Sequence, residues 1–403
     1  MIDRFEKSLG VGVIPAEFQA IYEEALTEFS RDGVFFLQED YLRDVQEKCN
    51  AFPRTWERVL TEAATLRARP EEALYALFVC RAMQDRTLFR RHLKCFDFPQ
   101  SSPFLAFLCL VPSIVGTWGQ LVARGVPADV LAATVNQYEE CLFVYAERFD
   151  ELGMNKRYFD HLQEYVDHKL LNVGRLRYEI TPLEDVYLLK SKKDDKRVLF
   201  LKDMPMNAVG LRRGTPPLDD EGGFDAFFRE EGDFFVGTPV GENGRAQKET
   251  VRLSKAEYEI LLQPGDMMLD THIPGHAPLT EPLCAESYAR ARKIFATCYP
   301  EISFKGFHCH SWMMSPELTE VLKPGANVLN FQSAYLRYPV PTKGEAVLNF
   351  VFFLRYTTFA DLPEETSLQR ALKARYLRGE RLYEYGGVIP FGDEPKTESE
   401  VTV

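Results

Sequence analysis

The segment "GDMMLDTHIPGHAPLTEPLCAESYARARKIF" (residues 265–295) changes its period midway. Residues 267–273 alternate in the manner of a strand, and Pro274-Gly275 breaks the run. Thr280 is a good N-cap, with Glu281 and Pro282 in the first turn, where a carboxylate and a proline both suit a helix. The spacing therefore predicts strand, glycine-containing loop and helix N-terminus in that order. Such a unit points free N–H groups at an anion and adds the favourable end of the helix dipole. Gly275 is expected to let the backbone adopt positive φ and approach a ligand closely. Ile273, Gly275, His276, Ala277, Leu279 and Thr280 are the candidate cradle residues.

Working outward, a second strand-like run, "FKGFHCHSW", follows at 304–312. Alternation puts His308 and His310 on one face and Cys309 and Ser311 on the other. Four of the seven histidines lie in these two pieces: His272, His276, His308 and His310. Histidines at alternate positions suit a metal, and His272 would supply a third nitrogen. Asp266, Asp270 and Glu301 are the carboxylates at hand, but none completes a familiar ligand spacing, so the segment reads as an active-site loop with no metal. His272, at the strand end, suits a general base because an unperturbed imidazole titrates near pH ~6.5. His310 and Tyr288 are the other catalytic candidates, the tyrosine as a proton donor from the helix. Arg175, in "VGRLRYE" (173–179), Ser311 and Trp312 are candidate substrate contacts.

Upstream, residues 15–170 are helical in pattern. "PAEFQAIYEEALTEFSRDG" spaces Phe18, Ile21, Tyr22, Leu26 and Phe29 along one face, with Gly33 as a stop. Similar amphipathic runs follow, and the pairs Glu23–Glu24 and Glu139–Glu140 are expected on solvated faces. The apolar run 104–118 is interrupted by Pro112 and too short for a membrane span, which predicts a pair of buried helices. After about residue 170 the period turns strand-like, with "KKDDK" (192–196) and "GENG" (241–244) as hairpin turns. A short helix is expected at 315–322, a strand at 346–356 and a helix from Thr366 to Gly379. The expected domains are 1–168 (helical), 169–390 (mixed α+β) and 391–403 (a disordered acidic tail).

A net charge of −12 argues against binding a nucleic-acid backbone, and the N-terminus carries no signal-peptide run, so a cytoplasmic protein acting on small molecules is expected. The eight cysteines include no CxxC pair and read as reduced thiols.

The ordered blocks "VGRLRYE" (173–179), "PGDMMLDTHIPGHAPL" (264–279), "ESYARARKIFATCYPE" (286–301), "FHCHSWMMSPEL" (307–318) and "GANVLNFQ" (325–332) carry a resemblance. The chain resembles a family of bacterial two-domain acyltransferase-domain proteins with a helical N-terminal domain and a GNAT-like C-terminal domain. The resemblance implies an α+β fold, an all-helical domain followed by a GNAT-like mixed sheet with flanking helices. It implies acyl-CoA, taken as acetyl-CoA, as co-substrate, with its pyrophosphate on the 274–280 loop and its arm between diverging strands. The implied activity is N- or O-acyl transfer. The family's usual glycine-rich phosphate motif is replaced here by "HIPGHAPLT", in which Pro274 and Pro278 lack an N–H. That departure keeps a non-catalytic ligand-binding protein on the same scaffold as an alternative, alongside a histidine-ligated metalloenzyme.

Overall fold

A computed structural model of the chain describes residues 2–218, 220–275, 277–353 and 356–397. The chain divides into two compact units, residues 1–172 and 173–403.

In the first unit the described residues form α-helices from Arg4–Leu9 to Lys156–Val166. At its centre lies Pro70–Ala82, where Ala73 through Cys80 are all buried. This helix is apolar all round, not striped as its neighbours are, because other helices cover every side. Phe5 packs edge-on against Tyr22 and Tyr75, with ring centroids 5.5 and 5.0 Å away. The expected helix pair at 104–118 is one continuous helix, Leu105–Ala123, with Pro112 inside it. An interior proline costs about 3 kcal/mol; here burial of Leu105–Val111, Ile114 and Leu121 offsets that cost. By length and composition this helix could cross a membrane, but in this unit it is core.

Glu139 also departs from expectation, being fully buried while Glu140 stays partly exposed. Its carboxylate accepts from the Arg54 and Thr55 backbone N–H groups (both 2.8 Å), the Thr55 hydroxyl (2.9 Å) and Arg54 Nε (2.9 Å). It thus caps from a distance the Trp56–Arg67 helix, whose N-cap Thr55 makes no side-chain cap bond of its own.

The second unit is built on a mixed sheet in which Leu176–Pro182, Met267–His272, Phe304–Ser311, Tyr385–Pro390 and Leu336–Pro339 follow one another in that order. Met267–His272 and Phe304–Ser311 run parallel, joined by the crossover helix Glu281–Cys298. The pairings of Met267–His272 with Leu176–Pro182, and of Tyr385–Pro390 with both its neighbours, are antiparallel. Alternation sorts the side chains. Tyr178 and Phe307 meet the crossover helix at Tyr288, with ring centroids 6.2 and 4.8 Å away. Met268, Tyr338 and Val388 face the other way, into a layer that includes Val186, Leu188, Leu199 and Leu262.

The hairpin at 192–196 joins Val186–Ser191 to Arg197–Leu201, pairing Lys190 with Arg197. The helix predicted from Thr366 is Ser367–Leu377, opened by a capping box between Thr366 and Gln369. Where a strand was expected at 346–356, Ala346–Val351 is a helix; residues 354 and 355 lie outside the described set. Short apolar runs are ambiguous by period, and burial decides this one. Val347, Leu348 and Phe352 reach a cluster with Leu372 and Tyr376, while Phe350 stays 58% exposed. The tail expected to be disordered is anchored where it is described. Asp393 pairs with Arg197 at 2.7 Å, Glu394 pairs with Arg292 at 2.7 Å, and Phe391 packs on Phe307. Residues 398–403 lie outside the described set.

Candidate active site

The parallel pair sets the geometry. Its register ends at Asp270↔His308, while Met267–His272 stays paired on its other side as far as His272↔Arg177. Phe304–Ser311 likewise continues against its other neighbour to Ser311↔Tyr385. Thr271–His272 and Cys309–Ser311 therefore flank a mouth where the two central strands no longer pair, at the start of the loop leading to the crossover helix.

On the helix side of the mouth the side chains are buried and hydroxyl-rich. Tyr288 and Tyr335 share a hydrogen bond of 2.7 Å, and Thr271 is 2% exposed. Burial pushes both phenols well above the usual tyrosine range; the Tyr335 charge raises Tyr288 further, while the hydrogen bonds from Thr271 and Tyr288 draw Tyr335 only partly back. Both are neutral hydroxyls at physiological pH, able to donate. Cys309 lies on this side too; burial first, then the Asp270 charge, pushes its thiol well above the usual range. A cavity of about 260 Å³ opens here, lined by Leu279, Cys284 and Tyr288 from the loop and helix start and by Phe331 and Ala334 across from them.

The opposite face is polar. His272 Nε2 lies 3.0 Å from Glu179 Oε2 and 3.7 Å from Asp270 Oδ2. His308, 4% exposed, places Nε2 3.0 Å from the Thr181 hydroxyl and 3.2 Å from Asp270 Oδ1. The next row holds His310, whose Nε2 lies 2.9 Å from the Tyr338 hydroxyl. The Tyr338 ring lies across Gly386, where a Cβ would come within 2.3 Å of it. Strand pairing explains the assembly: Glu179↔Asp270 and Asp270↔His308 are direct cross-strand neighbours.

Burial alone would raise the Asp270 carboxyl, but the His308 charge and hydrogen bond, with the His272 charge, hold it far below the usual range. Burial would lower His272; the Glu179 hydrogen bond and the Asp270 and Glu179 charges outweigh it, so its pKa is raised. His310 is lowered by burial and then by the His308 charge. Glu179, Asp270 and His272 each place one donor atom within 4.8 Å of the others, close enough to share a cation. Among the described residues, Glu179 and Asp270 meet His272 through the hydrogen bond and ion pair already given.

The candidates named from sequence fall into three groups. His272 and His310 share the polar face, and Tyr288 stands on the other side of the sheet. Leu279 lines the cavity, and Thr280 is the N-cap, its carbonyl accepting from Cys284 N at 3.1 Å. Ile273 is half-buried beside them and Ala277 exposed; His276 lies outside the described residues. Gly275 differs from expectation, since its φ is not in the left-handed region and a Cβ there would meet nothing within 4 Å. Arg175 holds the loop, its Nε donating to Pro278 O at 2.9 Å and Nη2 to Ala277 O at 2.8 Å. Ser311 and Trp312, also expected as substrate contacts, are both engaged within the chain. Ser311 Oγ accepts from Met313 N at 3.1 Å, and Trp312 packs with Leu318, Val347 and Tyr376. Glu179, Tyr335 and Tyr338 were not foreseen. The usable signal was Asp270-x-His272, which alternation puts on one face, but Glu179 joins it only through a register no spacing discloses.

No curated protein matches the chain. Solved structures share its fold at 16% identity, among them three that hold CoA or an acyl-CoA. One, an acyltransferase with decanoyl-CoA and teicoplanin, has a TM-score of 0.61 over 96% of this chain and 98% of its own. A mutant acyltransferase with octanoyl-CoA scores 0.62 over 97% and 99%, and an acyltransferase with CoA and 10C-teicoplanin scores 0.60 over 96% and 98%. The family of GNAT-like C-terminal domains matches residues 170–389, more than half of the chain. With its helical first unit, its mixed sheet and its parting central strands, the chain belongs to the GNAT-like C-terminal domain family.

Proposed function

We propose that this protein transfers an acyl group from acyl-CoA to a small-molecule amine or hydroxyl acceptor. The observation that carries this reading is the parting of the parallel strands beyond Asp270↔His308, with His272 on one side and the Tyr288–Tyr335 pair on the other. The similar solved structures, which hold CoA or acyl-CoA, support it. The CoA arm enters from the helix side through the cavity at Leu279, Cys284 and Tyr288. Its phosphates meet the amides at the start of the crossover helix. Pro274 and Pro278 supply no N–H, so the donors are the remaining loop amides, in a loop that Arg175 holds by its carbonyls.

The acceptor comes from the polar face and attacks the thioester carbonyl. His272 takes its proton, the new N–C or O–C bond forms, and the C–S bond breaks. The departing thiolate takes a proton from the Tyr288–Tyr335 pair, and the proton that His272 took up returns to that pair through solvent, so that free CoA thiol and the starting protonation states result. Acetyl is the simplest donor group, and the longer chains held by the similar structures set the comparison.

Calorimetric titration with acetyl-CoA and octanoyl-CoA tests the reading. Saturable binding of one or both, abolished by Ala334→Trp in the cavity wall, is expected. No binding of either sinks it. Binding without thiol release across a panel of amines and alcohols would instead assign a ligand-binding role.

A further inference from the structure

Asp270 stands between two imidazoles, with Oδ1 3.2 Å from His308 Nε2 and Oδ2 3.7 Å from His272 Nε2. Glu179 closes on the same His272 nitrogen at 3.0 Å. Thr181 fixes the far end through His308 at 3.0 Å. The chain Thr181–His308–Asp270–His272–Glu179 runs across three adjacent strands on one face of the sheet. A carboxylate at hydrogen-bond distance from a ring nitrogen, with a second carboxylate 3.7 Å away, requires that nitrogen to carry hydrogen, because an ionised carboxylate only accepts.

We infer that Glu179 and Asp270 are positioning residues that hold His272 with its hydrogen on Nε2, leaving Nδ1 as the nitrogen that takes the acceptor's proton. The assignment of Nδ1 as base rests on the acyl-transfer reading; the tautomer does not. Which nitrogen of a histidine is basic follows from the hydrogen bond the other one makes. Among the described residues, the charged groups that act on the ring include Glu179 and Arg177 from Leu176–Pro182 and Asp270 from its own strand, with His308 behind Asp270. Three acidic or cationic neighbours act on one imidazole, and the carboxylates dominate: the raised His272 pKa is the electrostatic counterpart of the geometry.

The test is ¹⁵N-histidine NMR of the full chain across pH 5–9, on the wild type and on Glu179→Gln and Asp270→Asn. Both variants keep side-chain shape, and circular dichroism checks that each is folded. The expected wild-type result is the Nε2–H tautomer for His272, with a midpoint above the free-imidazole value. In Glu179→Gln the midpoint moves down and the tautomer becomes mixed; Asp270→Asn moves it in the same direction. Once an acceptor is found, the rising limb of the kcat/KM profile should shift to lower pH in Glu179→Gln. The pH-independent kcat should fall by about tenfold or more, the loss of one charge-assisted hydrogen bond, while the Kd for acyl-CoA is unchanged. A Nδ1–H tautomer in the wild type, or a midpoint and tautomer identical in all three proteins, overturns the positioning assignment whatever the binding result. Absence of acyl-CoA binding with the NMR result as expected overturns the transfer reading and leaves the tautomer assignment standing.

Discussion

Gly386→Ala places a methyl group where the structure has no room. A Cβ at this position would lie 2.3, 2.5 and 2.8 Å from three carbons of the Tyr338 ring. Ordinary carbon contacts are about 3.5–4.0 Å, so ring or strand must move by more than an ångström. The ring cannot swing away freely: Tyr338 is 1% exposed and packed among Leu188, Met268 and Val388. Gly386 also pairs with His310 and Tyr338 in the ladder, which resists a backbone shift. Overpacking of this kind costs about 1–3 kcal/mol. At about 2–4 °C per kcal/mol for a unit of this size, Tm should fall by roughly 2–12 °C. Displacing the ring also breaks the 2.9 Å bond to His310. Differential scanning calorimetry measures the first effect and the His310 titration the second. The decisive comparison is the double variant Gly386→Ala/Tyr338→Leu, which removes the clash. Its loss of stability should be smaller than the sum of the single losses by about 0.5–3 kcal/mol. Strict additivity, or a Tm for Gly386→Ala within a degree of wild type, refutes the reasoning.

His272→Ala should abolish acyl transfer while changing the acyl-CoA Kd little, because a base acts in the transition state and not in binding; turnover assay and calorimetry together check this. Gly275→Val should leave Tm unchanged, since a side chain there meets open space, yet weaken acyl-CoA binding; an unchanged Kd would show that no ligand approaches that backbone. Glu139→Ala orphans two backbone N–H groups and a buried hydroxyl, a loss of about 2–4 kcal/mol, visible as a lowered Tm of the helical unit. The raised His272 pKa contributes stability that is full below about pH 6.5 and disappears as pH rises through the higher folded value. The stability advantage of wild type over His272→Gln should therefore shrink from pH 6 to pH 9, and a constant difference would contradict the ion pair.

The strand–loop–helix at 267–298 was readable because its period switches at a proline–glycine break and restarts at a good N-cap. The two-unit layout was readable from the same change of period near residue 170. What escaped was whatever depends on pairing across strands. Glu179 looks like any solvent-facing residue of an edge-like segment until the register sets it opposite Asp270. Glu139 looks like half of a surface pair until the fold brings Thr55 beside it. The 346–351 segment escaped for a related reason, since its structure is set by a local cluster that includes residues up to Leu382, far along the chain. Gly275 taught a narrower lesson: glycine there is not demanded by backbone conformation, so its freedom is available to something outside the chain.

At the mouth, His272 and its carboxylate partners lie on one side of the sheet and the Tyr288–Tyr335 phenols on the other, and Cys309 is buried on the second side with its thiol held protonated. On the proposed reading, donor and acceptor reach the same carbonyl from opposite sides of a wall one strand thick. Neither has to depart before the other arrives, and no thiolate waits on the protein to carry the group between them. The kinetic order follows from the architecture. Initial rates measured at several fixed acceptor concentrations should give intersecting double-reciprocal lines, the signature of a ternary complex, where a shuttle through the enzyme would give parallel ones.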